Sequence, residues 1–296
     1  MGGDARRDPP DARLPPVRRL LLVLVVLLGL VAITGLRWSP RTPSSVIESV
    51  CGWNADRTQP EDRLLAPLAR RTDGSIAVLG TDELGRPLGL RLWLALGTSL
   101  AIAGAGAAVA VALGTAIGTT SGLAGGRTDA VLMRLTEVTA GVPAVLVIMV
   151  LVAALRDWGA WLLFAGMGLL FWQSIARLVR ARVLRLKAEP YVEAARALGA
   201  PAWHRIRRHV LPGVWPTVGT AGTLLLPRLI LLESLVAYLG VSGDATPHSF
   251  GRIIAGVTAT LTPLSPSWWP VIVPCVALAC AVLVINLALD QDDLSR

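Results

Sequence analysis

The sequence predicts an all-α membrane protein with six transmembrane helices. Of its 296 residues, 53% are hydrophobic, and the mean hydropathy of +0.60 is far above that of ordinary soluble domains. The apolar residues are gathered into runs of about 20, the length that crosses a bilayer as a helix. Basic residues lie mostly between these runs, where they act as topology signals. Together these observations favour one membrane bundle over two soluble domains.

Six apolar segments are candidates for the spans. They cover residues 17–36, 93–118, 130–155, 160–176, 213–239 and 268–289. The first has Arg18 and Arg19 at its entrance and could be read as a signal peptide. Its length and its weak cleavage site favour an uncleaved span instead. The pair Trp268 and Trp269 suits the interfacial belt at the start of the last span.

The distribution of charge predicts the orientation. The polar connection 177–212 carries nine basic and two acidic residues. Because cytoplasmic loops are enriched in Lys and Arg, this connection and both termini are expected in the cytoplasm. The expected organisation is a cytoplasmic tail at 1–16, an extracytoplasmic segment at 37–92, a five-helix core at 93–289 and a second tail at 290–296. Segment 37–92 has eight Arg, but seven acidic residues nearly cancel them.

Several function classes are disfavoured by what the sequence lacks. Lys187 is the only Lys, and no G-x-x-x-x-G-K-[ST] loop is present, so the chain is expected to bind no ATP itself. The net charge of +8 is better explained by topology than by nucleic-acid binding. No nucleophile with a base and no metal-ligand motif occurs in the spans, which predicts no catalytic residue, no metal and no cofactor. The residues His204, His209 and His248 are interpreted as solvated or interfacial.

The connection 177–212 carries the most informative pattern. Pro190 suits the first turn of a short helix, and Gly199 suits the left-handed position after its end. Pro201 can open a second helix, with Trp203, Ile206 and Val210 on one stripe, and Pro212 is expected to end it. The pattern predicts a helix–turn–helix elbow that protrudes into the cytoplasm.

The elbow resembles the EAA loop of ABC importer permeases. The matching positions are Glu193-Ala194-Ala195, Gly199 and Leu211-Pro212, and His209 before Leu-Pro is similar to the oligopeptide/dipeptide/nickel branch. Further matches to that branch run from about residue 79 to 290. They are the segment 80–86 (GTDELGR), the glycines Gly114, Gly118, Gly122, Gly125 and Gly126 with Asp129, then Met133-Arg134, Pro143, Val179-Arg180, Leu186-Lys187, Glu233-Ser234-Leu235 and Asn286-Leu287.

The resemblance implies a type I ABC importer permease-like bundle in the bacterial inner membrane. Residues Glu193, Ala194, Ala195, Gly199, Leu211 and Pro212 would couple the chain to an ATPase subunit. The implied partners are a second homologous permease subunit, two ABC ATPase subunits that bind ATP and Mg, an extracytoplasmic solute-binding protein and the lipid bilayer. Peptides are the implied substrate. Nickel or another small solute, and an orphan structural protein without transport, remain alternatives.

Two kinds of residue inside the spans invite structural interpretation. Arg228 and Glu233 lie within the fifth span, where a charge usually faces the bundle or a cavity. They indicate either a gate in the pathway or a contact with a neighbouring subunit. Gly114, Gly118 and Gly122 have small-xxx-small spacing, which predicts close helix packing, and Gly125-Gly126 predicts a turn.

Overall fold

The computed structural model describes residues 55–154, 160–240, 248–258 and 267–293. This part of the chain is mostly helical. In order, its α-helices are α1 (Leu88–Ala124), α2 (Gly126–Ala140), α3 (Ala144–Ala154), α4 (Ala160–Lys187), α5 (Pro190–Ala197), α6 (Ala202–Arg205), α7 (Leu211–Tyr238), α8 (Phe250–Thr258) and α9 (Trp269–Asp293). A π-helical turn, Ile206–Val210, joins α6 to α7. The predicted tail 1–16 and first span 17–36 lie outside the described residues.

The described helices match the predicted spans in part. Among the described residues, three helices, α1, α7 and α9, are long and apolar enough to cross a membrane. The described part of the predicted third span, 130–155, falls on a bent pair of helices, since α2 and α3 meet at 79°. The bend lies at Gly141, Val142 and Pro143, where the proline ring disfavours helical backbone in the residue before it. The predicted fourth span lies within α4, which continues to Lys187.

Glycines bring α1 and α4 into backbone contact. A Cβ built at Gly118 would lie 2.4 Å from the carbonyl oxygen of Ala176, and one at Gly122 would lie 2.8 Å from Val183. At Gly114 a Cβ would lie 2.7 Å from Ile175. Because only glycine leaves room for this approach, the small-xxx-small interpretation of the sequence is confirmed, and its partner is α4. Gly125 and Gly126 have positive φ, as the predicted turn requires.

A small folded unit, residues 55–87, precedes α1 and is called the hairpin unit below. It holds a short antiparallel pair, β1 (Ala69–Arg70) and β2 (Ile76–Ala77). Thr81 ties the unit together, because its hydroxyl donates to the carbonyl of Asp62 at 2.5 Å and accepts from the N–H of Leu65 at 2.8 Å. Segment 37–92 was expected to be extramembrane throughout, whereas α1 already begins at Leu88.

Two apolar clusters fill the bundle. The larger one joins α1, α4 and α7 through residues such as Ile102, Val179 and Leu229. The smaller one packs Leu88 at the start of α1 against Phe250 of α8, with Trp269 of α9 beside them. The hairpin unit lies at the same end of the bundle as this smaller cluster, because a Cβ at Gly80 would lie 2.8 Å from the Trp269 ring. The elbow and the hairpin unit therefore lie at opposite ends of α1.

Candidate coupling site

The elbow, residues 188–210, begins with α5, and its sharp turn depends on Gly199. The φ of Gly199 is +79°, a left-handed conformation that favours glycine. The N–H of Ala200 donates to the carbonyl of Ala195 at 3.0 Å. This six-to-one hydrogen bond is that of the Schellman motif, which satisfies a carbonyl left free at a helix end. The predicted helix end at Gly199 is confirmed.

The second arm of the elbow differs from the prediction. Pro212 was expected to end this helix, and that expectation is wrong. The backbone passes through the π-helical turn, in which the N–H of Leu211 donates to the carbonyl of Ile206, and continues as α7. Pro212 lies in the first turn of α7. A proline is tolerated there because the wider turn before it removes the need for its missing N–H. The arm is therefore continuous with α7.

The elbow exposes apolar and aromatic side chains beside charged ones. The side chain of Leu198 is 88% exposed and that of Tyr191 is 49% exposed, although both are apolar or aromatic. Glu193 and Ala194 are also exposed, whereas Val192 is buried and anchors α5 on the bundle. A protruding apolar side chain such as Leu198, next to small residues, suits insertion into a groove on another protein.

The base of the elbow is closed by contacts between α4 and α7. The guanidinium of Arg182 donates through Nε to the carbonyl of Gly213 at 3.2 Å. Leu186 packs so closely on Gly213 that a Cβ there would lie 2.9 Å from its Cδ1. The connection 177–212 is thus only partly a loop, because residues 177–187 complete α4 and place Arg182 at the elbow base.

A charged cluster lies beside the elbow, and we call it the Asp129 cluster; it consists of Ser121, Asp129, Arg180 and Lys187. The guanidinium of Arg180 donates to both carboxylate oxygens of Asp129, each at 2.5 Å. The hydroxyl of Ser121 donates to the same carboxylate. Lys187 donates through Nζ to the carbonyls of Gly122 and Leu123, each at 3.1 Å. The sequence motifs include Asp129 and Arg180, but their pairing across 51 residues was not predicted.

The two charges predicted inside the fifth span lie in different surroundings. Glu233 is buried and accepts a hydrogen bond from the Ser99 hydroxyl of α1 at 2.7 Å. Arg228 is exposed on the surface of α7. The pair is not brought together. The polar partner of Glu233 lies within this chain, so of the two residues Arg228 is the one that is accessible to a neighbouring subunit.

His248 is not solvated, which corrects the sequence interpretation. It is buried, and its Nε2 lies 3.4 Å from a carboxylate oxygen of Asp56 in the hairpin unit. Burial lowers the pKa of His248, as do Arg91, Arg86 and Arg252, whereas Asp56 opposes this shift. The sequence interpretation was wrong because the tertiary structure places residue 248 beside residue 56, which are far apart in the sequence.

Among the described residues, no three His, Cys, Asp or Glu side chains gather as metal ligands would.

The comparisons with known proteins agree with this architecture. Residues 110–291 match the family of the binding-protein-dependent transport system inner membrane component. The chain is 29% identical over 250 residues to the oligopeptide transport system permease protein OppC of Bacillus subtilis, covering 84% of this chain and 75% of that protein. It is 31% identical to the dipeptide transport system permease protein DppC of the same organism, covering 70% of this chain and 64% of the relative.

A third relative extends the comparison to another organism. The oligopeptide transport system permease protein OppC of Haemophilus influenzae is 34% identical over 207 residues, which cover 70% of this chain and 65% of the relative. The family match, residues 110–291, includes the elbow and the helices on either side of it. The chain therefore belongs to the family of inner membrane components of binding-protein-dependent transport systems.

Proposed function

We propose that this chain is a permease subunit of an ATP-driven importer for peptides. The relatives named above are oligopeptide and dipeptide transport system permeases, which favours peptides over nickel or another small solute. In this proposal a solute-binding protein delivers the peptide outside, and a second homologous permease completes the pathway. Two ATPase subunits bind ATP and Mg in the cytoplasm. Six spans with cytoplasmic termini complete the arrangement.

The observation that carries the proposal is the elbow. Its first arm ends at a left-handed glycine, and its second arm is continuous with α7. A force applied to the exposed Leu198 and Glu193 would therefore reach a long helix of the bundle through one short turn, 198–201, whose geometry the left-handed Gly199 fixes. We assign the docking contact to Glu193, Ala194, Ala195 and Gly199, with Leu211 and Pro212 fixing the direction of the second arm. Alternating access would follow as a shift between two states of the bundle.

The substitution Gly199→Asp tests this assignment, with Gly74→Asp as a matched control. Both glycines have positive φ, at +79° and +83°, and a Cβ at either would meet nothing within 4 Å. Each substitution thus carries a similar local conformational cost of about 1 kcal/mol. Gly74 lies in the hairpin unit, far from the elbow. We expect Gly199→Asp to abolish uptake and Gly74→Asp to preserve it.

The measurement is uptake of labelled trialanine by cells that carry the importer, with membrane insertion checked by immunoblot. Glu193→Ala is expected to reduce uptake in the same assay. Normal uptake in the Gly199→Asp strain would refute the coupling assignment. If the wild-type chain retains ATPase subunits during purification in mild detergent but transports no peptide, the substrate is a different small solute. If it retains no ATPase subunit, it is a structural protein without transport.

A further inference from the structure

The Asp129 cluster joins three helices at the elbow end of the bundle. Ser121 belongs to the last turn of α1, Asp129 to the first turn of α2 and Arg180 to α4. The carboxylate of Asp129 accepts from the other two side chains. A bidentate guanidinium–carboxylate pair fixes orientation as well as distance. The turn between α1 and α2 is therefore held to α4 in one geometry.

Lys187 adds a second connection at the same turn. Its Nζ donates to the last free carbonyls of α1, at Gly122 and Leu123. A positive charge at a helix C-terminus is favourable because the free carbonyls carry partial negative charge. Lys187 is also the last residue of α4, only three residues before the elbow helix α5 begins at Pro190. The contact thus joins the start of the elbow to the end of α1.

The packing between the two connections excludes sliding of α1 along α4. Gly118 and Gly122 allow the α1 backbone to contact Val179 and Val183, and a displacement along the axis would drive these side chains into α1. On the other side, the second arm of the elbow continues directly into α7, and Arg182 and Leu186 both contact Gly213 in its first turn. The elbow is consequently connected to α1 and α2 through the Asp129 cluster, in addition to its continuous helical connection to α7.

We propose that Asp129, Arg180 and Lys187 are positioning residues for transport: they make the elbow, α4 and the α1–α2 turn move as one unit when the ATPase subunits act. This inference rests on the proposed function, since it needs a motor that displaces the elbow. In this proposal Asp129 acts through its contacts with Arg180 and Ser121, and not by contact with the ATPase subunit or the peptide. It carries the displacement to α1 and the bent pair α2–α3, in addition to the direct connection through α7.

The structure supplies a matched control on the same helix. Arg134 and Glu137 form an ion pair at 2.8 Å, with side chains 80% and 57% exposed. This pair links residues within α2 and connects no other helix. Asp129→Asn and Glu137→Gln therefore make the same chemical change, carboxylate to amide, on one helix. Only the first removes a connection between helices.

The test uses the complete importer with spin labels at Arg127→Cys and Glu189→Cys, two exposed positions at the turn and the elbow. Cys51, Cys275 and Cys280 are first replaced by Ala. The distance between the labels is measured without nucleotide and with ATP and vanadate. We expect no change in the unsubstituted protein and in Glu137→Gln, and a shifted or broadened distribution with ATP and vanadate in Asp129→Asn and in Lys187→Met.

Transport is measured on the same preparations without labels. Asp129→Asn is expected to lower trialanine uptake per ATP hydrolysed by about tenfold while ATPase subunits stay bound. A distance that changes with nucleotide in the unsubstituted importer overturns the inference, and so does unaltered uptake per ATP in Asp129→Asn. Either result leaves the proposed function intact. Failure of the unsubstituted chain to retain ATPase subunits overturns both.

Discussion

Glu233 of α7 accepts a hydrogen bond from Ser99 of α1 at 2.7 Å, although 134 residues separate them. Both side chains are buried at the end of the bundle opposite the elbow. Ser234 contributes a longer contact of 3.4 Å to the same carboxylate. A buried polar group is costly unless it is hydrogen-bonded, so this contact fixes α7 against α1 at one register.

The first prediction concerns this contact. Glu233→Ala removes the partner of a buried hydroxyl and leaves a cavity, and we expect a loss of about 2–3 kcal/mol in stability. Arg228→Gln is the control on the same helix; because Arg228 is exposed, it should change stability by no more than about 0.5 kcal/mol. The measurement is the thermal unfolding midpoint of the isolated subunit in detergent.

A double-mutant cycle with Ser99→Ala separates the contact from general packing. We expect a coupling energy of about 0.5–3 kcal/mol between the two substitutions. Strictly additive effects of Ser99→Ala and Glu233→Ala would show that the hydrogen bond does not hold the helices together. The register of α7 would then depend on the apolar cluster alone.

The second prediction concerns the close approach of α1 and α4. Gly118→Ala places a Cβ 2.4 Å from the Ala176 carbonyl, so the helices must separate. We expect a loss of about 1–3 kcal/mol, the usual effect of overpacking. Gly104→Ala is the control on the same helix, because a Cβ there meets nothing within 4 Å. It should be neutral or slightly stabilising, since Ala favours helix more than Gly does.

Thermal midpoints of the two variants in the same detergent check this prediction. The yield of monodisperse protein gives a second readout, because separated helices expose apolar surface. Equal midpoints for Gly118→Ala and Gly104→Ala would contradict the packing described for α1 and α4.

The third prediction concerns the hairpin unit. The Asp82 carboxylate accepts from Arg91 at 2.6 Å and from Arg86 at 2.8 Å, and the Arg91 side chain is buried. Asp82→Asn leaves the Arg91 charge without its anionic partner, and we expect a loss of about 3–5 kcal/mol. Asp73→Asn, an exposed change in the same unit, should lower stability by about 1 kcal/mol or less.

Limited proteolysis with trypsin measures this difference directly, because Arg70 and Arg71 lie in the hairpin. We expect rapid cleavage there in Asp82→Asn and slow cleavage in Asp73→Asn. Equal resistance of the two variants would mean that the Asp82–Arg91 pair does not hold the unit on α1.

The elbow was predictable from the sequence because its determinants are local. Pro190 and Gly199 fix the first arm within ten residues, and the conformation of each is set by its own backbone preference. The end of the second arm was mispredicted because Pro212 was interpreted from its own backbone preference alone. Whether Pro212 ends a helix depends on the backbone before it, and the π-helical turn that accommodates it carries no clear local signal.

The sequence by itself determined the helical membrane character, the location of the elbow and the glycine face of α1, since each depends on composition or on spacing along one segment. Only the tertiary structure decided which side chains meet. Asp129 pairs with Arg180, Ser99 with Glu233, and His248 lies beside Asp56. The physical reason is that a hydrogen bond or an ion pair is effective only within a few ångströms, and the packing of distant helices sets these distances.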